Sequence, residues 1–142
     1  MADFFTMQVL VKAWILFWLL RIAKEDLRSY TIPNIYTAAI LVTAPLFCTV
    51  PIQLRIFAAV LPAVLIPLMG MGDVKLYSAL GFVLGPGQLL RIACFSMLAG
   101  GVYAAFLLVS RKAERKSRIA FGPFIAGATA FVILCPTASL VL

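Results

Sequence analysis

Apolar residues fall into long runs separated by short polar breaks, and the spacing of those breaks predicts six helices. The runs extend from about Phe5 to Leu27, Ile35 to Val50, Ile56 to Met69, Asp73 to Leu84, Leu90 to Val109 and Phe124 to Val141. A helix rises about 1.5 Å per residue, so roughly 20 residues cross the hydrocarbon of a bilayer. The third and fourth runs are shorter. Either they take in flanking residues, or they enclose a wet indentation in the bundle. Ile32-Pro33-Asn34 breaks one helix and starts the next, because proline lacks the amide donor and its predecessor avoids the helical region. Gly85-Pro86-Gly87 reads as a turn.

Composition turns this pattern into a class. Of 142 residues 64% are hydrophobic and 12% charged, with a mean hydropathy of +1.10. The chain is therefore predicted to be all-α: one polytopic membrane bundle of about six transmembrane helices, with residues 1–142 forming a single domain. The net charge of +7 does not indicate nucleic acid. Five of the twelve basic residues lie in the 111–118 loop between two apolar runs, where contact with anionic lipid and control of orientation account for them. Cys48, Cys94 and Cys135 stand alone in apolar segments, without a C-x-x-C pair, and read as small buried hydrophobes. The amino terminus reads as a retained first helix. Asp3 comes early, Lys12 lies inside the run, and Arg21-Ile22-Ala23-Lys24 is a poor cleavage site. The small residues Ala99-Gly100-Gly101 and Gly127 are expected to allow close helix packing.

Charge between the runs sets the orientation. Nine basic residues fall in the odd-numbered loops and two, Arg55 and Arg91, in the even ones. The odd loops are thus predicted to be cytoplasmic and both termini outside. That partition uses no chemistry, yet it puts Asp26 and Asp73 on the same cytoplasmic face. On a helix continued to Arg28, residues Arg21, Lys24, Glu25 and Arg28 share one stripe. Asp26 points about 140° away from Arg21, into the bundle.

The chemistry available is narrow. The acids are Asp3, Glu25, Asp26, Asp73 and Glu114, and there is no histidine. A serine nucleophile lacks an imidazole base, and no cluster suits a metal. The other feature is Gly70-Met71-Gly72-Asp73-Val74-Lys75, a polar break whose glycines let the backbone bend and approach another segment closely. Two carboxylates sharing a site cannot both ionise cheaply, so the pair is expected to hold one proton. The ionised member takes a proton from water while the other donates to a carbonyl, which is peptide hydrolysis without a metal, cofactor or covalent intermediate. The helix dipole favours an ionised Asp73, which leaves Asp26 as the protonated partner, although coupled sites resist individual assignment. Each acid also has a plainer reading: Asp73 as a cap of the fourth helix, and Asp26 as an ion-pair partner of Lys75 or Arg28.

Gly70-Met71-Gly72-Asp73 resembles the signature of the GxGD membrane aspartyl proteases. Residues Asp26 to Asn34, DLRSYTIPN, resemble the D-x-R-x-x-x-[IL]-P-N stretch of the type IV prepilin peptidases. Phe121 to Gly127 is similar to the proline-containing segment that opens the last helix of that family. The three matches stand in family order. The resemblance implies a multi-pass enzyme of the cytoplasmic (inner) membrane that removes short basic leaders from type IV prepilin-like membrane substrates, cutting after a glycine. It implies Asp26 and Asp73 as the catalytic pair, Gly70 and Gly72 as motif glycines, and Lys75, Arg28, Pro33, Asn34 and Pro123 as residues that shape the site. Lys75 also reads as an ordinary positive-inside residue. Larger members carry a cytoplasmic C-x-x-C insertion associated with methylation of the new amino terminus. This chain lacks it and resembles the compact members that serve tight-adherence (Flp) pili or archaeal archaellins.

Two rival readings use the same residues. A small transporter or proton-relay subunit would employ the carboxylates as relays, but it should show repeat-related broken helices and a midplane site, which the sequence lacks. An inactive scaffold would have no need of either aspartate. Oligomeric state is not legible.

Overall fold

The computed structural model of the chain describes residues 2–43, 50–65, 70–110 and 119–135. Among these, all regular structure is helical: α1 (Ala2–Ser29), α2 (Asn34–Leu41), α3 (Ile52–Val60), a 3-10 turn (Leu61–Leu65), α4 (Met71–Leu84), α5 (Pro86–Val109) and α6 (Gly122–Leu134).

The helices form where the apolar runs are, but their ends answer to local chemistry. Helix α3 begins at Ile52, so Arg55 sits inside it and not in a loop. It stops at Val60, two residues before Pro62, which cannot donate to the preceding turn. Helix α5 starts at Pro86, whose fixed φ suits a first helical turn, while Gly85 makes the reversal at φ 88°. The predicted turn is therefore the first residue of a reversal and the start of a helix, and Arg91 lies within α5. The basic 111–118 loop and Cys48 lie outside the described residues.

Helix α4 is the hub. It packs against α2, α3 and α5, while α1 and α5 both pack on α6. Tyr77, Leu76, Leu80 and Val83 of α4 are fully buried. The Tyr77 hydroxyl meets the Ser96 hydroxyl of α5, and Ser96 Oγ in turn donates to the Ile92 carbonyl at 2.6 Å. Gly81 permits the α3 crossing, since a Cβ there would lie 2.5 Å from the Ala58 carbonyl oxygen.

The outer helices bury one stripe each. In α1 it is Val11, Ile15, Leu19, Ile22 and then Asp26, and in α5 it is Leu89, Ile92, Ser96 and Gly100. The other faces keep large apolar side chains outward, among them Leu20, Leu98, Phe106 and Val109. Large apolar side chains on the faces outside the buried stripe suit contact with lipid there. The segments Thr6–Ser29 and Pro86–Val109 are long and apolar enough to cross a membrane. At 14 residues α4 is about 21 Å long, well short of the roughly 30 Å hydrocarbon core. Its N-terminus opens on a cleft at one end of the bundle.

The small residues behave differently from one another. Gly100 lies directly beneath the Phe121 ring, so it does permit a close approach. A Cβ on Gly101 or Gly127 would have nothing within 4 Å, so neither glycine brings two helices together among the described residues. Cys94 is exposed, not buried as its apolar surroundings predict, because it falls off the single buried stripe of α5.

Candidate active site

The cleft has a volume of about 510 Å³ and is bounded by the end of α1, the segment that follows it, the start of α4 and the segment entering α6. Asp26 and Asp73 both line it, with Gly70, Gly72 and Lys75. Asp26 comes to it as the last member of the buried α1 stripe, one helical step after Ile22. The i, i+4, i+8 geometry that buries the apolar residues above it leaves this carboxylate 5% exposed. Its Oδ2 accepts a hydrogen bond from the backbone N–H of Gly122 at 2.7 Å.

Asp73 stands in the first turn of α4 but does not cap it. Gly70 holds the N-cap position, and no side chain makes a cap hydrogen bond. The half-buried carboxyl is turned to the cleft instead. Nor is Asp26 ion-paired with Lys75 or Arg28 among the described residues. Lys75 Nζ donates to Asn34 Oδ1 at 3.1 Å, and Arg28 is exposed in the last turn of α1.

The two motif glycines have different surroundings. A Cβ on Gly72 would stand 3.3 Å from Ile32 Cβ and 3.5 Å from the Ile32 amide nitrogen, so Gly72 is what lets α4 lie against the post-α1 segment. Gly70 has φ −65°, open to any residue, and a Cβ there would meet Asp73 Oδ2 at an ordinary 3.5 Å. The close approach expected of both belongs to Gly72.

The remaining expected residues lie around the cleft and not in its wall. Asn34 begins α2 and reaches the cleft through Lys75. Pro33 is the N-cap of α2. Pro123, in the first turn of α6, lines a groove against α1 with Leu16, Leu19 and Ala23. Gly122 is not singled out by the sequence, yet it carries the amide that holds Asp26. A Cβ at 122 would fall 2.7 Å from Asp26 Oδ2 and 3.0 Å from its Cβ. The available signal is a glycine directly before the helix-opening proline, where the amide is still free of helical partners. Tyr30, Thr31, Ile32, Met71, Ile119 and Phe121 complete the wall.

The arrangement is a membrane-type helical bundle with two carboxylates from separate helices in one cleft. The chain belongs to the type IV leader peptidase family, whose model matches residues 13–105 and so takes in Asp26, Gly70, Gly72 and Asp73. Over 79 residues it is 33% identical to the prepilin leader peptidase/N-methyltransferase of Bacillus subtilis (strain 168). That stretch is 56% of this chain and 32% of the relative, so the match spans about a third of the relative's length. No solved structure matches the chain.

Proposed function

We propose that this chain is a membrane-embedded aspartic endopeptidase that removes the leader of type IV pilin-like precursors on the cytoplasmic side of the inner membrane. One observation carries the reading: Asp26 and Asp73, far apart in sequence, line one cleft. Membership of the leader peptidase family and the likeness to a prepilin leader peptidase support the substrate class.

In this reading residues 1–142 act as one catalytic unit with both termini outside, and the two carboxyls share a proton. The ionised carboxylate draws a proton from water, and the neutral carboxyl donates to the scissile carbonyl oxygen. Gly122 N–H fixes the Asp26 carboxylate, while Gly72 seats Asp73 against the Ile32 segment. Lys75, held by Asn34, supplies positive charge at the cleft margin. Arg28, Pro33 and Pro123 act at a distance from the carboxylates, through the ends of α1, α2 and α6. Gly70 provides backbone at the α4 N-terminus with no side chain in front of Asp73.

The test is co-expression with a precursor made of a basic leader, a glycine and an apolar helix. The intact chain shortens the precursor. Asp26→Ala and Asp73→Ala variants that still insert leave it whole, and normal shortening by either variant refutes the mechanism.

A further inference from the structure

Tyr30 is the one non-glycine residue with a positive φ, 52°, among the described residues. It lies immediately after α1, where its amide still donates to the Asp26 carbonyl at 2.9 Å before the chain reverses toward Thr31 and Ile32. This is the helix-ending position at which glycine is the usual occupant, because a left-handed backbone crowds any Cβ. Burial of the ring would offset that strain. Here the side chain is instead 51% exposed and forms part of the cleft wall that also holds Asp26 and Asp73. A left-handed non-glycine backbone whose ring is left half open, at the mouth of the cleft, is the pattern left when a residue is kept for what it touches in the bound state.

We propose that Tyr30 is a substrate-contacting residue, its ring forming the wall against which an extended peptide is laid as it crosses the two aspartates. Ile32, Met71, Ile119 and Phe121 line the same cleft, so the ring belongs to the apolar part of a wall that also carries Thr31, Lys75 and the two aspartates. The ligand it fits is a polypeptide strand with an apolar side chain beside the scissile bond. The ring face makes the contact and the hydroxyl is dispensable. The left-handed turn fixes where the ring stands, since a right-handed residue at 30 would carry the chain on along α1 and away from the cleft. This inference rests on the peptidase reading and adds to it a residue whose loss weakens binding without touching the proton-transfer groups.

The test uses the full chain, purified, with the same pilin-like precursor, comparing wild type with Tyr30→Gly, Tyr30→Asn and Tyr30→Phe. Glycine and asparagine both accept the left-handed backbone, so either keeps the turn, and the second variant covers poor expression of the first. The expected result for both is a thermal midpoint equal to or above that of wild type. KM for the precursor rises about tenfold or more, with kcat at saturation within about twofold, the signature of lost binding. Tyr30→Phe keeps the wild-type KM. An unchanged KM in Tyr30→Gly and Tyr30→Asn overturns the proposal. So does a lowered thermal midpoint in both, which would make Tyr30 a structural residue, and so does a KM in Tyr30→Phe as high as in Tyr30→Gly. Wild-type chain that leaves the precursor whole removes the peptidase reading and this inference with it. Wild-type cleavage with an unchanged KM in the variants removes the inference alone.

Discussion

Two charged side chains are buried to the same degree at opposite ends of α4, and they are used in different ways. Arg55 and Asp26 are each 5% exposed. Arg55 Nε donates to the Phe82 carbonyl at 2.7 Å, and its guanidinium lies 4.8 Å from the centre of the Phe82 ring. Phe82 is in the last turn of α4, where carbonyls have run out of helical donors, so the arginine satisfies an orphan acceptor and favours the negative end of the helix. Asp26 sits beside the first turn of the same helix, about 14 Å away along its axis. There it faces a cleft and a second acid. Burial alone says nothing about role. A buried charge matched by an opposite partial charge at a helix end serves the fold. Asp26 has such a partner in the Gly122 N–H, but it also stands beside a like charge in an open cleft, which is costly to keep and so points to chemistry.

Substitutions at the two ends of α4 should separate these roles. Among changes that leave both aspartates in place, the largest effect is expected from Gly122→Ala, whose methyl group would displace the Asp26 carboxylate. A shift near 1 Å costs about a hundredfold in turnover, measured as single-turnover cleavage, with the amount of folded protein checked by thermal melting. A pH–rate profile should come next. In the proposed mechanism the pair works with one shared proton, so the rate should fall at low pH when both carboxyls are protonated and no base remains. It falls again at high pH when both are ionised and no acid remains, giving a bell; a profile that only rises with pH would break the acid–base assignment. At the other end of α4, Arg55→Met leaves the Phe82 carbonyl unsatisfied and should cost about 1–3 kcal/mol of stability. Turnover per folded molecule should be unchanged, and a loss of turnover would mean the two ends are not independent. The smallest effect is expected from Asn34→Ala. It frees an exposed Lys75 and should change stability by under about 1 kcal/mol, read from the same melting curves.

The same contrast explains what the sequence makes legible. The α1 stripe of Val11, Ile15, Leu19 and Ile22 has helical spacing, and continuing it one step places Asp26 inside the bundle, so the inward turn of that acid follows from periodicity alone. Arg55 reads as a loop residue because a charge interrupts an apolar run. The Phe82 carbonyl that accommodates it comes from a helix more than twenty residues later, which no local pattern reveals. Gly122 is hidden for a related reason. Its amide matters through a side chain ninety-six positions away, and a glycine next to a helix-opening proline looks like ordinary punctuation. Gly70 and Gly72 read as equivalent in the motif and separate only when Ile32 is seen against one of them. Tyr30 carries no signal, since a backbone angle is not written in residue identity.

If Asp26 and Asp73 work as one unit, a double-substitution cycle will show it. Precursor cleavage would be measured for Asp26→Asn, Asp73→Asn and the combined variant, all confirmed to be folded and inserted. Each single change should remove at least about a thousandfold of the rate, and the combined variant should be no slower than either, because a pair that has lost one member has lost the function of both. A single variant that keeps a substantial share of the rate, or effects that multiply in the combined variant, would contradict the pairing.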